Sequence, residues 1–164
     1  VSAIACDIVI NVQGDEPLIE PSLIEALVNS FSNSEISMSS AMSKINNVKD
    51  LHNSNVVKVV TDLHNNALFF SRSLLPFPRD VKEISIAKEV LEKYQFYRHI
   101  GIYGYRKDFL LKFVNMEQSY LEKVEKLEQL RALENGFKIK MIEAESSLIG
   151  IDTQEDYEEA LKKY

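Results

Sequence analysis

Two aspartates stand where apolar segments run out into polar chain: Asp15 in Asn11-Val12-Gln13-Gly14-Asp15-Glu16-Pro17, and Asp152 in Leu148-Ile149-Gly150-Ile151-Asp152-Thr153. Open α/β sheets bind their ligands beyond the carboxyl ends of strands, and loops are common carriers of function. Mg²⁺ is a hard cation that takes one or two carboxylates together with phosphate oxygens and water. Two acidic loops that converge would therefore suit a nucleotide-phosphate site. The same residues also fit plainer roles. Asp15-Glu16-Pro17 makes a polar turn leaving a strand, and Asp152, before the N-cap of a last helix, would favour the helix dipole by about 0.3–1 kcal/mol.

A second group mixes polar side chains into apolar surroundings: Arg72 in Phe70-Ser71-Arg72-Ser73, Arg98-His99 and Tyr103 in an aromatic run, and Glu128-Gln129. Alternation within Phe96 to Tyr103 divides the run into two faces, one of them richer in hydrogen-bonding groups. A guanidinium binds a carboxylate in bidentate fashion, and His, Tyr, Gln and Glu match sugar hydroxyls as donors or acceptors, so this face could line a polyhydroxylated ligand. A histidine satisfied within the core is the plainer reading of His99. His52 and His64 stand in turn-like segments and receive no role. No Walker A pattern or glycine-rich loop opening a helix occurs in the sequence, nor does a Ser-His-Asp elbow or a Cys/His metal spacing.

These residues need elements to hold them. Ile8 to Val12 is a short β-branched run that suits a strand buried in a parallel sheet. Pro21 then opens a helix with the stripe Leu23, Ile24, Leu27, Val28 and Phe31. Residues 36–42, 55–61 and 67–70 read as strands, the last two joined by a hairpin turn at 62–66, while the prolines of Leu74-Leu75-Pro76-Phe77-Pro78 make that stretch a loop or an edge. Residues 86–94 have helical spacing and 96–105 strand spacing. A capping box at Ser119 to Glu122 opens one helix through Leu121, Val124, Leu127, Leu130 and Leu133, closed by Asn135-Gly136. Phe137 to Glu143 reads as a half-exposed strand, and Thr153-Gln154-Glu155-Asp156 opens a terminal helix. This alternation of strands and helices predicts an α/β fold: a mixed, mostly parallel sheet flanked by helices, antiparallel in part, in one domain spanning 1–164.

Composition narrows the partners. Against 25 Asp plus Glu the 164 residues carry 19 Lys plus Arg, a net charge of −6, which disfavours nucleic acid and anionic membrane surfaces. An apolar share of 45% with 27% charged residues is globular usage. The single cysteine, Cys6, precludes an internal disulfide and fits a reducing cytoplasm, and no apolar run approaches the roughly 20 residues that span a bilayer. The sequence reads as soluble and intracellular. It opens on Val1 and is already in a strand at Ile8, which suggests a fragment.

In order along the chain, NVQGDEP, NVVKVV, ALFFSRSLLPFPRD, YRHIGIYGYR, LEKVEKLEQLRALENG and LIGIDTQED resemble the 3-deoxy-manno-octulosonate cytidylyltransferases, or CMP-Kdo synthetases. The resemblance runs from about Asp7 to the terminal helix. It implies a nucleotide-diphospho-sugar transferase-like fold and transfer of a cytidylyl group from CTP to the acid sugar Kdo. The products are pyrophosphate and CMP-Kdo, for lipopolysaccharide assembly. It also implies Mg²⁺ held by Asp15 and Asp152 as the catalytic carboxylates, and Kdo surrounded by Gln13, Arg72, His99, Tyr103, Glu128 and Gln129. In-line attack of the sugar's anomeric hydroxyl on the α-phosphorus would then proceed by positioning and charge neutralisation. A homodimer with its contact near residues 69–105 is implied too.

One departure from the family is large. Its opening strand and basic, glycine-containing loop for the CTP triphosphate have no match here, so the 164 residues by themselves are expected to be inactive. Two other readings stand beside this one: a cytidylyltransferase for another acid sugar, such as a sialic acid or an amino analogue of Kdo, and a non-catalytic sugar-binding or dimer-forming remnant.

Overall fold

A computed structural model describes residues 1, 3–14, 19–81 and 89–144. In chain order its elements are β1 (Ile8–Val12), α1 (Pro21–Ser30), β2 (Met38–Lys44), α2 (Val48–His52), β3 (Lys58–Thr61), β4 (Ala67–Ser71), α3 (Glu89–Lys93), β5 (Tyr97–Arg106), α4 (Lys107–Phe113), α5 (Tyr120–Glu125), α6 (Gln129–Glu134) and β6 (Ile139–Glu143). The α/β class and the flanking helices are as expected. The terminal helix expected from Thr153, and residues 86–88 of the helix expected at 86–94, lie outside the described residues.

The aromatic run Tyr97–Arg106 is the spine of the sheet. Along one edge β5 pairs antiparallel with β2, which in turn pairs parallel with β6. Two strands share the other edge. β3 pairs with Tyr97 and Arg98, and β1 pairs with Ile102 to Arg106. β4 completes the sheet as the hairpin partner of β3. Among the described strands only β2 with β6 is parallel, so the expected balance of directions is reversed there. For β3 and β4 the physical reason is connection length: parallel neighbours need a crossover of a dozen or more residues, whereas five residues, Asp62 to Asn66, join these two. In that turn Asp62 Oδ1 accepts from the main-chain N–H groups of His64 and Asn66, and Asn65 takes the left-handed conformation (φ 57°). Ile8–Val12 is a strand, as expected, but an antiparallel one, and its last residue Val12 is 45% exposed.

The two faces of the sheet are covered by different helices. Leu23 and Leu27 of α1 pack with Ala41, Ile100 and Ile102 on one face. On the other, Met38, Met42, Tyr103 and Tyr105 pack with Phe109 and Phe113 of α4, Leu127, and Leu130 of α6. Between β2 and β5 the register slips: Ser40 stands opposite Tyr103 but Ala41 opposite Ile100, leaving Gly101 and Ile102 as extra residues in β5. Among the described residues no helix is long and apolar enough to cross a membrane.

The single helix expected from Ser119 to Asn135 is two. α5 ends where Lys126 turns into the left-handed region (φ 56°, ψ 45°), and α6 starts at Gln129. Arg131 reaches back to Glu122, donating from Nε to Oε2 at 2.8 Å and from Nη2 to Oε1 at 2.6 Å. Nine residues of straight helix would set these residues about 13.5 Å apart along the axis, so the bidentate pair requires the break. Arg131 Nη1 also donates to the Phe113 carbonyl, at 3.2 Å, which ties both short helices to the end of α4.

Candidate functional site

Where β1 and β3 part along the edge of β5, a cavity of about 470 Å³ opens. Its walls are Gln13 beyond β1, Asn55 to Val57 before β3, Arg72 after β4, Arg98, His99, Gly101 and Tyr103 of β5, and Lys126 to Gln129 at the helix break. Each irregularity of the fold delivers part of it. The slipped register supplies Gly101. A Cβ there would lie 2.3 Å from Gln13 Oε1, so the glycine lets the Gln13 side chain cross the strand. The left-handed Lys126 turns residues 126–129 toward the cavity.

The floor is a hydrogen-bonded chain. Buried Ser40 has one hydroxyl proton, and the Ile102 carbonyl, which can only accept, lies 2.8 Å from its oxygen. His99 Nε2, also 2.8 Å from Ser40 Oγ, therefore carries a proton and donates, and Nδ1 remains an acceptor. Burial, seconded by the Arg98 charge, lowers the His99 pKa to about 3, so the ring is neutral. It stands edge-on to Phe70 at 5.1 Å and tilted against Tyr103 at 5.3 Å. The Tyr103 hydroxyl, pushed well above its ordinary pKa mainly by burial, donates to Gln129 Oε1 at 3.2 Å. Gln129 is 2% exposed, and its Nε2 has no hydrogen-bond partner among the described residues; neither has the buried Nε of Arg98. Such donors are rare in finished cores and commonly await a ligand or water.

The walls are braced from behind. The Glu125 carboxylate accepts from Ser71 Oγ at 2.7 Å and from the Arg72 main-chain N–H at 3.0 Å. Arg72 donates from Nε to the Glu125 carbonyl at 2.8 Å and from Nη1 to the Ser54 carbonyl at 2.9 Å. Arg72, Arg98 and Lys126 line the cavity against one carboxylate, Glu128. In a chain of net charge −6 this is a local surplus of positive charge that selects an anionic ligand.

The structure thus brings together six of the residues singled out above: Gln13, Arg72, His99, Tyr103, Glu128 and Gln129. Asp15 and Asp152 lie outside the described residues. Among the described residues no group of three His, Cys, Asp or Glu gathers to hold a metal. Sequence reasoning gave no specific place to Gly101, Lys126 or Asn55 to Val57, and named Arg98 without a role of its own. A larger cavity of about 610 Å³, lined by Lys138, Lys140, His64 and Asn66 among others, includes no buried unpartnered donor on its walls.

Comparison with known proteins converges on one chemistry. A family model described as cytidylyltransferase matches residues 1–142. The 3-deoxy-manno-octulosonate cytidylyltransferase of Fusobacterium nucleatum subsp. nucleatum is 45% identical over 156 residues, covering 94% of this chain and 60% of that protein. That of Geobacter sulfurreducens is 48% identical over 167, covering 99% and 66%. The structure of a CMP:2-keto-3-deoxy-manno-octonic acid synthetase complexed with CTP superposes with a TM-score of 0.84 at 33% identity, over 99% of this chain and 64% of the other. The chain spans less than two thirds of the length of each.

Proposed function

The chain belongs to the cytidylyltransferase family, and on that premise we propose that its cavity is the acid-sugar site of a 3-deoxy-manno-octulosonate cytidylyltransferase. The reaction transfers a cytidylyl group from CTP to Kdo. The anomeric hydroxyl of Kdo gives up its proton to solvent as its oxygen bonds to the α-phosphorus, the bond from that phosphorus to the pyrophosphate oxygen breaks, and pyrophosphate leaves with its electron pair. The carrying observation is the pair of buried, unpartnered donors, Gln129 Nε2 and Arg98 Nε, on the wall of a cationic cavity. A carboxylated, polyhydroxylated ligand satisfies both.

In this reading Arg72 and Arg98 face the sugar carboxylate, while Gln13, Glu128, Gln129 and the Nδ1 acceptor of His99 match hydroxyls. The cavity orients the nucleophile and no residue becomes covalently bound. A divalent metal, Mg²⁺ by the preference of carboxylates and phosphate oxygens, would be held by Asp15 and Asp152 and would neutralise phosphate charge. Asp15 follows Gln13 by two residues, which supports that assignment. The product would serve lipopolysaccharide assembly in the cytoplasm, in keeping with Cys6 as a free thiol. A homodimer through residues 69–105 is part of the reading. Phe77, inside this stretch, and Leu68, next to it, are 69% and 61% exposed, and light scattering at graded concentration measures the state.

Calorimetric titration with Kdo, a sialic acid and mannose tests the cavity. Kdo is expected to bind more tightly than the sialic acid, mannose to bind negligibly, and Gln129→Ala and Arg72→Ala to weaken Kdo by about tenfold or more each. Stronger binding of the sialic acid would favour another acid sugar. Kdo binding indifferent to both substitutions would overturn the site.

A further inference from the structure

Lys58, the first residue of β3, has a side chain with no solvent exposure and lies in neither of the ion pairs found among the described residues. Its ammonium has three protons and three acceptors: the Asn53 carbonyl at 2.9 Å, the Val56 carbonyl at 2.6 Å and the Arg72 carbonyl at 2.7 Å. No proton is left for a ligand. Burying a cation against main-chain carbonyls is costly, and an apolar side chain of similar volume would fill the space at less cost. What the ammonium does that an apolar group cannot is hold three carbonyls at one point.

Those carbonyls belong to two walls of the cavity. Val56 lies within the lining segment Asn55 to Val57 and Asn53 precedes that segment by two residues, while Arg72 lines the cavity from the end of β4. Arg72 Nη1 closes a ring by donating to the Ser54 carbonyl, and Arg72 Nε extends the tie to Glu125, next to the left-handed Lys126. The three segments that converge on the cavity are therefore joined through one nitrogen and one guanidinium.

We propose that Lys58 is a positioning residue for acid-sugar binding: its ammonium sets the 53–57 segment and the Arg72 main chain so that the Arg72 guanidinium meets the sugar carboxylate. The inference rests on the reading of the cavity as the Kdo site.

A double-substitution cycle with Kdo titrations tests it. Lys58→Met is expected to weaken Kdo by about tenfold or more, since a misplaced binding group loses most of its benefit. Combined with Arg72→Ala it should add less than about twofold, because the two changes remove one function. A bystander that only stabilises the fold would lower the melting temperature of Lys58→Met and leave affinity, measured well below that temperature, within about twofold of the unaltered chain. That result, or losses that multiply, overturns the proposal. Should Lys58→Met fail to fold, ¹⁵N detection of the Lys58 ammonium in the unaltered chain decides. Its resonance is expected to be protected from exchange and to shift on saturation with Kdo while that of Lys44, in an exposed ion pair, does not. An unshifted Lys58 signal overturns the proposal. Absence of any Kdo binding by the unaltered chain overturns the cavity reading and this inference together, whereas binding that Lys58→Met retains overturns the inference alone.

Discussion

Protonating His99 should unfold the site, and the size of the effect follows from its surroundings. The ring lies among Phe70, Tyr103 and Ser40, with the Arg98 guanidinium as its charged neighbour, and these hold its pKa at about 3 in the fold. In the unfolded chain a histidine titrates near 6.5. The folded pKa is the lower one, so the unfolded state binds the extra proton and His99 contributes its full stability above pH 6.5, losing it as pH falls toward 3. At about 1.4 kcal/mol per unit, denaturant unfolding should show a loss of roughly 2.7 kcal/mol between pH 7.5 and 4.5. The paired carboxylates Glu122 and Asp62, lowered from 4.5 and 3.8, begin to contribute at the acid end of this window, and they cancel in a comparison with a His99 variant that keeps both. His99→Gln, whose amide nitrogen reproduces the donation to Ser40 Oγ, should flatten the profile over those three units. His52 and His64 are exposed and remain in both proteins, so they cancel in the comparison. Equal slopes for the two proteins, or an NMR titration of the His99 ring near pH 6.5, would refute the reasoning. A corollary concerns the ligand: with His99 neutral throughout, Kdo affinity should not change between pH 8 and about pH 5.5 through any titration of this ring.

Three further outcomes follow from other parts of the structure. Gly101→Ala places a methyl group against the movable end of Gln13, so urea unfolding should change by less than about 1 kcal/mol while Kdo affinity falls several-fold, separating fold from site. Glu122→Gln leaves the partly buried Arg131 guanidinium without its carboxylate and should cost about 1.5–3 kcal/mol in chemical denaturation. The unaltered chain should also lose stability as acid protonates Glu122, because its folded pKa is lowered, chiefly by the Arg131 hydrogen bonds, and the unfolded chain binds the proton first. At Lys126, whose φ is 56°, the glycine variant should be more stable than the alanine variant by about 1 kcal/mol in thermal melts, because only glycine adopts the left-handed conformation freely.

Much of the site was legible because its chemistry is carried by unusual neighbours. An arginine after a pair of phenylalanines, a histidine inside an aromatic strand and a Glu-Gln pair on an amphipathic helix stand out by type alone, and all line one cavity. What escaped the sequence depends on tertiary contacts. Ser119 to Asn135 reads as one helix because its apolar spacing is unbroken. The break at Lys126 is held by Arg131 folding back on Glu122 and, from outside the segment, by Ser71 and Arg72, which hold the Glu125 carboxylate. The direction of Ile8–Val12 was misread for a related reason: a short β-branched run looks alike whether its neighbour runs with it or against it, and only the pairing with Ile102 to Arg106 decides. Lys58 reads as one charge in a β-branched strand, and nothing local shows that three carbonyls surround it.

The parting of β1 and β3 along β5 has an evolutionary consequence. Gln13 hangs from one ladder and Asn55 to Val57 from another, and the two ladders share no hydrogen bond, since β3 pairs with β5 at Tyr97 and Arg98 and β1 from Ile102 onward. Opposite rims of the cavity can therefore change independently while the sheet keeps its register. An architecture of this kind lets rim residues be exchanged one at a time, with the central strand as the fixed inheritance.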